Sequence, residues 1–412
     1  MAYLYDSAGD DTLTAYPTVV TLAGSGVTLV ASGFDSVFAY ATGGGNDVAY
    51  LYDSEGDDVF SAYPTYATMA GEGYLNRADG FDRVDGYSTA GGTDTASLYD
   101  SAGDDSFVAH SDYAYLFGAG FYNQANGFAA VTGYATRGAD TAWFYDSAGD
   151  DAFVSRPDGA QMTGEGFANV AVGFRRVSAY SSGGSDTAAL YGFLGTNLFT
   201  AHANDATMAG KSGWAYASAF ASVTAYGTKR DVAFLYDSAG DDTLTARPDG
   251  ACLAGEGFAN AVSGFGRVNA YAAAGGNDTA NFQDSLGNDT FIARAGLASM
   301  VGRTFKNYAS GFETNHAFST HGGLDKAALY DSLGADAFVV RNGVSAMTTE
   351  AGVLSDATGF ARVKAYGNLT GLDTASIFDT LGEQVTRRRT GFTVKGVSFS
   401  IQASAFRQIN VA

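Results

Sequence analysis

Residues 235–242 read Leu-Tyr-Asp-Ser-Ala-Gly-Asp-Asp, and the same phrase opens at Leu4, Leu51, Leu98 and Phe144 with at most one change. Looser copies open at Leu190, Phe282, Leu329 and Ile377. The third position holds Asp at 6, 53, 100, 146, 237, 284, 331 and 379, and Gly192 stands there in the fifth copy, so the step is 45 to 48 residues. The glycine three residues further on is present in every copy, from Gly9 to Gly382. A period of this size is the mark of a solenoid, a propeller or another array. The 412 residues therefore read as one unit of ~47 residues repeated eight times in full, over 1–376, with a degenerate ninth copy at 377–412 serving as a C-terminal cap.

Within the unit the pattern is that of short strands. In the second copy four pieces stand out: 58–62, 66–70, 83–87 and 95–99. Apolar or small residues alternate in most of them, which is the period of a strand. Pro17, Pro64, Pro157 and Pro248 share one slot, and Arg-Pro-Asp-Gly at 156–159 and 247–250 is a turn with preset φ at proline and freedom at glycine. Tyr87 and Tyr99 begin two similar phrases, which suggests a strand-plus-turn brick of about 12 residues and two coils per unit. The expected fold is all-β, a parallel β-solenoid of β-helix or β-roll type, with a β-propeller as the alternative. Nine units is an unusual blade count, the drifting lengths suit a stack, and a decayed last unit suits a cap.

Two aromatic columns run through the repeats. One is Phe34, Phe81, Phe128, Phe174, Phe265, Phe312 and Phe360; the other is Tyr40, Tyr87, Tyr134, Tyr180, Tyr226, Tyr271, Phe318 and Tyr366. Both read as structural ladders. In Val-x-Ala-Tyr the tyrosine is out of phase with the valine, so it points outward, where a stripe of rings is also the kind of surface that stacks on sugars.

The net charge is −21, which disfavours nucleic acid, since binding it takes a basic surface, and favours cations. Cys252 is the one cysteine, so neither an internal disulfide nor a cysteine metal cluster forms. No run of 18 apolar residues spans a membrane. Met1 to Asp6 is already repeat sequence with no leader before it, which reads as a mature form or a fragment of a larger protein.

The acidic excess sits at fixed repeat positions. The Gly-Gly-x-Asp slot gives Asp47, Asp94, Asp140, Asp186, Asp231, Asp278, Asp325 and Asp373; the next turn gives Asp6, Asp53, Asp100, Asp146, Asp237, Asp284 and Asp331; the following strand opens with Asp11, Asp58, Asp105, Asp151, Asp242, Asp289 and Asp336. Stacked in register, such columns put like charges together, which invites either a bound cation or strong hydrogen bonding in the turns. Calcium suits them, because it takes six to eight carboxylate and carbonyl oxygens. The metal-ligand candidates are Asp47, Asp53, Asp58, Asp94, Asp100, Asp105, Asp140, Asp146, Asp151, Asp231, Asp237, Asp242, Asp278, Asp284 and Asp289.

Gly45-Asn46-Asp47-Val48-Ala49 and Gly240-Asp241-Asp242-Thr243-Leu244 resemble half-sites of the RTX, or haemolysin-type, repeats, which hold Ca²⁺ in the turns of a parallel β-roll. The chain lacks the full glycine pattern, and its Asp47-to-Asp58 spacing is 11. The whole unit is similar to the Leu-Tyr-Asp-Ser-x-Gly-Asp-Asp arrays of large secreted or surface proteins of marine bacteria. That resemblance implies an extracellular or cell-surface place.

A catalytic site ought to break the repeat, and the fifth unit does. Tyr191-Gly-Phe-Leu-Gly-Thr-Asn197 replaces the acidic phrase, Thr228-Lys-Arg-Asp231 replaces Gly-Gly-x-Asp, and Trp214 appears. This reads as a decayed repeat, with a pocket for an anionic sugar as the sharper alternative. His316 and His321 are a proton-relay or metal candidate beside the plain reading of surface residues. No nucleophile elbow, zinc motif or phosphate loop occurs. The sequence thus points to a non-enzymatic structural or adhesive module with Ca²⁺ at acidic turns and surface polysaccharide or its own copies as partners. The alternatives are a polysaccharide-binding or polysaccharide-degrading β-helix, and ice binding, which the patchy threonine column does not favour.

Overall fold

The structure is a computed structural model that describes residues 1–369, 371–378 and 383–411. Asp379 and Gly382 of the ninth copy lie outside the described residues. The described residues form 45 strands and no helix. They group into two compact units, one of 1–194 with 211–220 and one of 195–210 with 221–412. Each is a β-solenoid of parallel stacked coils, not a propeller.

In the first unit the second repeat shows the strand plan. It has five strands: β7 (Val59–Ala62), β8 (Tyr66–Gly71), β9 (Tyr74–Asp79), β10 (Arg83–Tyr87) and β11 (Thr95–Tyr99). The four-strand expectation missed β9. Its Asn76, Arg77 and Asp79 break the apolar pattern, yet Tyr74, Asn76 and Ala78 point inward while Leu75, Arg77 and Asp79 point out. A buried strand with an asparagine in its middle carries no apolar alternation. Asn76 is tolerated because its Nδ2 donates to the Tyr16 carbonyl at 3.0 Å. Asn123, Asn169, Asn260 and Asn307 donate to the corresponding carbonyls of Tyr63, His110, His202 and Arg247.

Three strands of the repeat, β7, β8 and β9, form an antiparallel meander in one sheet. β10 then crosses to the opposite sheet, where it pairs in parallel with β6 (Val48–Tyr52) and with β14 (Phe121–Asn126). β11 crosses back and pairs in parallel with β7 and with β15 (Ala130–Tyr134). Each repeat therefore makes three crossings between the two sheets, which is one and a half coils. The expectation of two coils per repeat is corrected on this point. A half-integral count also means that successive repeats start on opposite sheets: β2 (Thr12–Ala15) and β12 (Ser106–Ala109) lie in one, β7 and β17 (Ala152–Arg156) in the other.

The second unit repeats this plan. β27 (Thr243–Ala246), β28 (Gly250–Gly255) and β29 (Phe258–Ser263) make a meander, and β27 continues in parallel through β31 (Thr279–Gln283) and β35 (Thr314–Phe318) to β39 (Leu354–Thr358).

The space between the sheets is filled by alternating residues of both. Leu51, Phe60, Phe107, Phe144 and Phe153 of the first unit, and Phe199, Phe282, Phe291 and Phe338 of the second, have no exposed surface. The turn phenylalanines fold in over them, with Phe128 5.9 Å from Phe60 and Phe265 6.2 Å from Phe199. All of that column is buried except Phe34.

The tyrosines face outward, as their phase requires, but their ladders do not run down one column. Tyr87 stacks on Tyr52 at 4.9 Å, and Tyr52 on Tyr16 at 4.4 Å; Tyr134, Tyr99 and Tyr63 repeat the arrangement at 4.9 and 4.2 Å. Because repeats alternate between sheets, the neighbour of a ring comes from a different slot of the repeat. Arg156 over Tyr191 and Arg294 over Tyr330 end two ladders with a cation over a ring face.

Candidate metal centre

The crossings between sheets stack turn upon turn, and this is where the aspartates meet. Following β11 and the acidic phrase, Ser101 closes its turn by donating N–H and Oγ to Asp105 at 2.9 and 2.8 Å. The next turn in the stack is 135–140. Its Asp140 Oδ1 accepts the Asp105 N–H at 2.8 Å, and its Thr136 N–H donates to Asp100 at 2.6 Å. The pairing recurs at Asp58 with Asp94, Asp151 with Asp186, Asp242 with Asp278, Asp289 with Asp325 and Asp336 with Asp373, at 2.6 to 3.1 Å.

Three carboxylates thereby converge per turn stack. The groups are Asp6, Asp11 and Asp47; Asp53, Asp58 and Asp94; Asp100, Asp105 and Asp140; Asp146, Asp151 and Asp186; and, in the second unit, Asp331, Asp336 and Asp373. In each, one oxygen per residue lies within 4.8 Å of the other two. The aspartate that completes a triad comes from 35 to 37 residues downstream, not from the 11-residue spacing visible in the sequence. The remaining candidates sit in the same kind of turn. Asp237 accepts from the N–H groups of Ala273 and Ala274, and Asp242 from Ser238. Asp284 accepts from the N–H groups of Thr320 and His321, and Asp289 from Ser285.

The triads differ in how fully their oxygens are used. Around Asp53, Asp58 and Asp94 every oxygen has a donor. Thr89 and Ala90 serve Asp53, Ser54 and the Tyr74 hydroxyl serve Asp58, and the Asp58 N–H and the Ser88 hydroxyl serve Asp94. Tyr74 reaches in from the hairpin between β8 and β9, where a Cβ on Gly71 would lie 1.8 Å from Asp58 Oδ1. Phe167 and Phe258 take the tyrosine's place elsewhere, and Asp151 Oδ1 and Asp242 Oδ1 then have no partner among the described residues. Around Asp331, Asp336 and Asp373 two of the three residues are short of a donor: Asp331 Oδ2 and Asp373 Oδ2 are buried and unpartnered. Gly367 stands there in place of the serine that caps Asp94, Asp186 and Asp325.

Electrostatics follow this inventory. Burial, reinforced by Asp373, pushes the Asp331 carboxyl up to about 6. Burial also takes Asp278 up to about 6, with Glu313, Asp242 and Asp237 adding to it. Asp47 and Asp140 are raised in the same direction, chiefly by burial. Burial works against Asp284 too, but the Thr320 N–H and His321 outweigh it and hold that carboxyl below its ordinary value. A carboxyl whose folded pKa exceeds the unfolded one takes up protons on folding, so it contributes more stability as pH falls through about 6. In metal-free buffer the melting temperature should rise between pH 7 and pH 5. A flat or falling profile across that window, in a thermal melt series with chelator, would remove the strained-carboxylate account.

The fifth repeat is not bare. The Asn197 N–H donates to Asp231 Oδ1 at 2.6 Å, and Thr228 donates to Asp231 Oδ2 through its N–H and its hydroxyl. The Lys229 ammonium is spent on the carbonyls of Pro248 and Phe265. An amide, Asn197, thus stands where other repeats have a carboxylate, and Lys229 where they have a glycine. His316 and His321 are not brought together: each contacts its own carboxylate at 2.7 Å, Asp356 and Asp284 respectively.

No family profile and no curated protein matches the chain. What can be said of the triads therefore rests on their own chemistry. Calcium sits 2.3–2.6 Å from each ligand, so ligand oxygens up to about 5 Å apart share one ion. Spacings within 4.8 Å meet that condition. Carbonyls of the same turns are hard oxygen donors of the kind such an ion also takes, and the absence of any thiolate or imidazole in these triads argues against softer metals.

Proposed function

We propose that this chain is a non-catalytic structural and adhesive module that works outside the cell and is hardened by Ca²⁺ at its acidic turns. The observation that carries the reading is the Asp331, Asp336 and Asp373 triad, where two buried carboxylate oxygens lack a donor and one carboxyl is driven up by burial and by Asp373. A divalent cation supplies what the protein leaves out there: positive charge between the three carboxylates and a partner for both oxygens. Asp331, Asp336 and Asp373 would hold it. The serine-capped triads need it less.

Extracellular placement rests on the resemblance to surface arrays and on calcium being abundant there. A polysaccharide partner gains little from the tyrosine ladders. A pyranose stacks on a free ring face, and the inner rings of these ladders have both faces covered by neighbours at 4.2 to 5.2 Å.

Thermal unfolding of the 412-residue chain in chelator, and again in millimolar Ca²⁺ or Mg²⁺, tests the reading. Calcium at a hundred times its dissociation constant should add about 2.7 kcal/mol per linked site, and magnesium much less. Asp373→Asn should remove most of the calcium shift, while Asp94→Asn should leave most of it. Equal melts in chelator and calcium would sink the calcium reading and leave the triads as hydrogen-bonded turns.

A further inference from the structure

The half-integral coil sorts the outward side chains of the first unit by sheet. In the sheet of β7, β11 and β15 the middle outward row reads Ser61, Ser97, Thr132, Val170, Gln161 and Val154, each the register partner of the next. No ring stands in that run. In the opposite sheet the same row crosses β13 (Tyr113–Gly118), β12, β16 (Thr141–Tyr145), β20 (Arg176–Tyr180) and β24 (Trp214–Ser218). It reads Tyr115, Val108, Trp143, Ser178 and Tyr216, so rings and small residues alternate. At its other end the row runs out to Thr14 on β2 and Thr21 on β3 (Val19–Gly24). Both tryptophans of the chain, Trp143 and Trp214, stand on this face.

The small residues show how the rings lie. Val108 and Ser178 point away from the core, yet each is 8% exposed. Val108 has Tyr115 and Trp143 as register partners, and Ser178 has Trp143 and Tyr216. Those rings therefore lean across the small residues between them. A ring that leans so has one face on the sheet and the other toward solvent. Trp143 has a small residue on each neighbouring strand, so no ladder covers it as Tyr63 and Tyr134 cover Tyr99. Rings two strands apart stand ~9.6 Å from each other, at ~4.8 Å per strand. That is close to the length of two linked pyranose rings in an extended chain.

Hydrogen-bonding groups fringe the rings. Gln124 stands beside Tyr115, its Oε1 accepting from the Tyr122 hydroxyl at 2.9 Å, and Arg176 lies over the Trp214 ring at 4.7 Å. Among the described outward residues of these strands and of β6, β10 and β14, the one acid is Asp85, which is 1% exposed and paired with Arg83 at 2.9 Å. A chain of net charge −21 thus keeps exposed carboxylates off this face. Ring faces with amide and guanidinium donors beside them suit the C–H faces and hydroxyls of a sugar. The acidic turns at the edges of the sheet repel a polyanion, which leaves a neutral one.

We propose that this face of the first unit binds an extended neutral polysaccharide of β-linked pyranoses, with Tyr115, Trp143 and Tyr216 stacking on alternate sugars. The face lies on the flat of a sheet, away from the aspartate turns, so it stands or falls separately from the calcium reading.

The test is isothermal titration of the full chain with cellohexaose, mannohexaose and maltohexaose, with tryptophan emission as a second signal. Cellohexaose or mannohexaose should bind and shift the emission, because both tryptophans lie on the face. Maltohexaose, which coils, should bind about ten-fold more weakly. Trp143→Ala should weaken binding about ten-fold or more, as loss of a central aromatic anchor does, with the circular dichroism unchanged. Tyr216→Ala should weaken it as well, and decides the matter if Trp143→Ala does not fold. Trp143→Phe should keep most of the affinity, and Val154→Ala on the opposite sheet all of it. Failure of both β-linked hexasaccharides to bind would overturn the proposal, as would full affinity in a folded Trp143→Ala. Equal binding of maltohexaose would overturn the extended chain, and tighter binding of an alginate hexasaccharide the neutral one. A wild type that binds no sugar but dimerises in sedimentation velocity, with Trp143→Ala monomeric, would give the face to a second copy instead.

Discussion

Phe153→Ala should lower the stability of the first unit by about 3–5 kcal/mol, the range for removing a large aromatic side chain from a packed core. Phe153 has no exposed surface. It lies 5.8 Å from Phe144 and 6.1 Å from Phe220, and its register partners are Met162 and Ala188. None of these can shift to refill the space without leaving a hydrogen-bonded strand, so the cavity persists and the upper half of the range applies. A solenoid is held by nearest-neighbour contacts, so the damage should also be local. Amide exchange should quicken in β16 (Thr141–Tyr145), β17, β18 (Gly159–Gly164) and β21 (Thr187–Tyr191), and hold its rate in β2 and β3. Uniform loss of protection along the first unit would mean that it unfolds as one cooperative block, contrary to nearest-neighbour coupling.

The repeat period was plain in the residues because a long phrase with glycine and aspartate at fixed places admits little else. The outward phase of Tyr87 followed from strand alternation alone, and the phenylalanine column was legible as a structural ladder. What the residues hid is the half-integral coil. Nothing in a 47-residue repeat states that β10 and β11 lie in different sheets. The same local pattern serves a crossing from either side, so the residues alone suggest that repeat and coil are commensurate. That miss misplaced the columns. Like columns were expected to stack on themselves, whereas Tyr87 stacks on Tyr52 and Asp105 bonds Asp140. Tyr74 and the serines of the acidic phrase went unread as parts of the carboxylate centre. The recurrent Gly-x-Gly-aromatic phrase at 71–74, 118–121, 164–167 and 255–258 was their available signal.

Asp94→Ala should destabilise the metal-free chain by about 2–4 kcal/mol, and the reason separates a turn carboxylate from a metal ligand. Asp94 is 2% exposed; its Oδ1 accepts the buried Asp58 N–H at 2.7 Å and its Oδ2 the Ser88 hydroxyl at 2.6 Å. Removing the acceptor leaves a backbone donor without water or partner, at about 1–3 kcal/mol, and a hydroxyl besides. Relief of repulsion with Asp53 and Asp58 offsets part of this, more at low salt than at high. Asp94→Asn retains an oxygen for the Asp58 N–H and sheds a charge, so it should cost well under half as much. The comparison is made in chelator, by urea unfolding at pH 7, where a metal ligand with no metal to hold would be neutral or better off as alanine. If Asp94→Ala is neutral or stabilising there, the hydrogen bond to Asp58 is not what keeps an aspartate at this place in the repeat, and charge held for a cation becomes the reason for it.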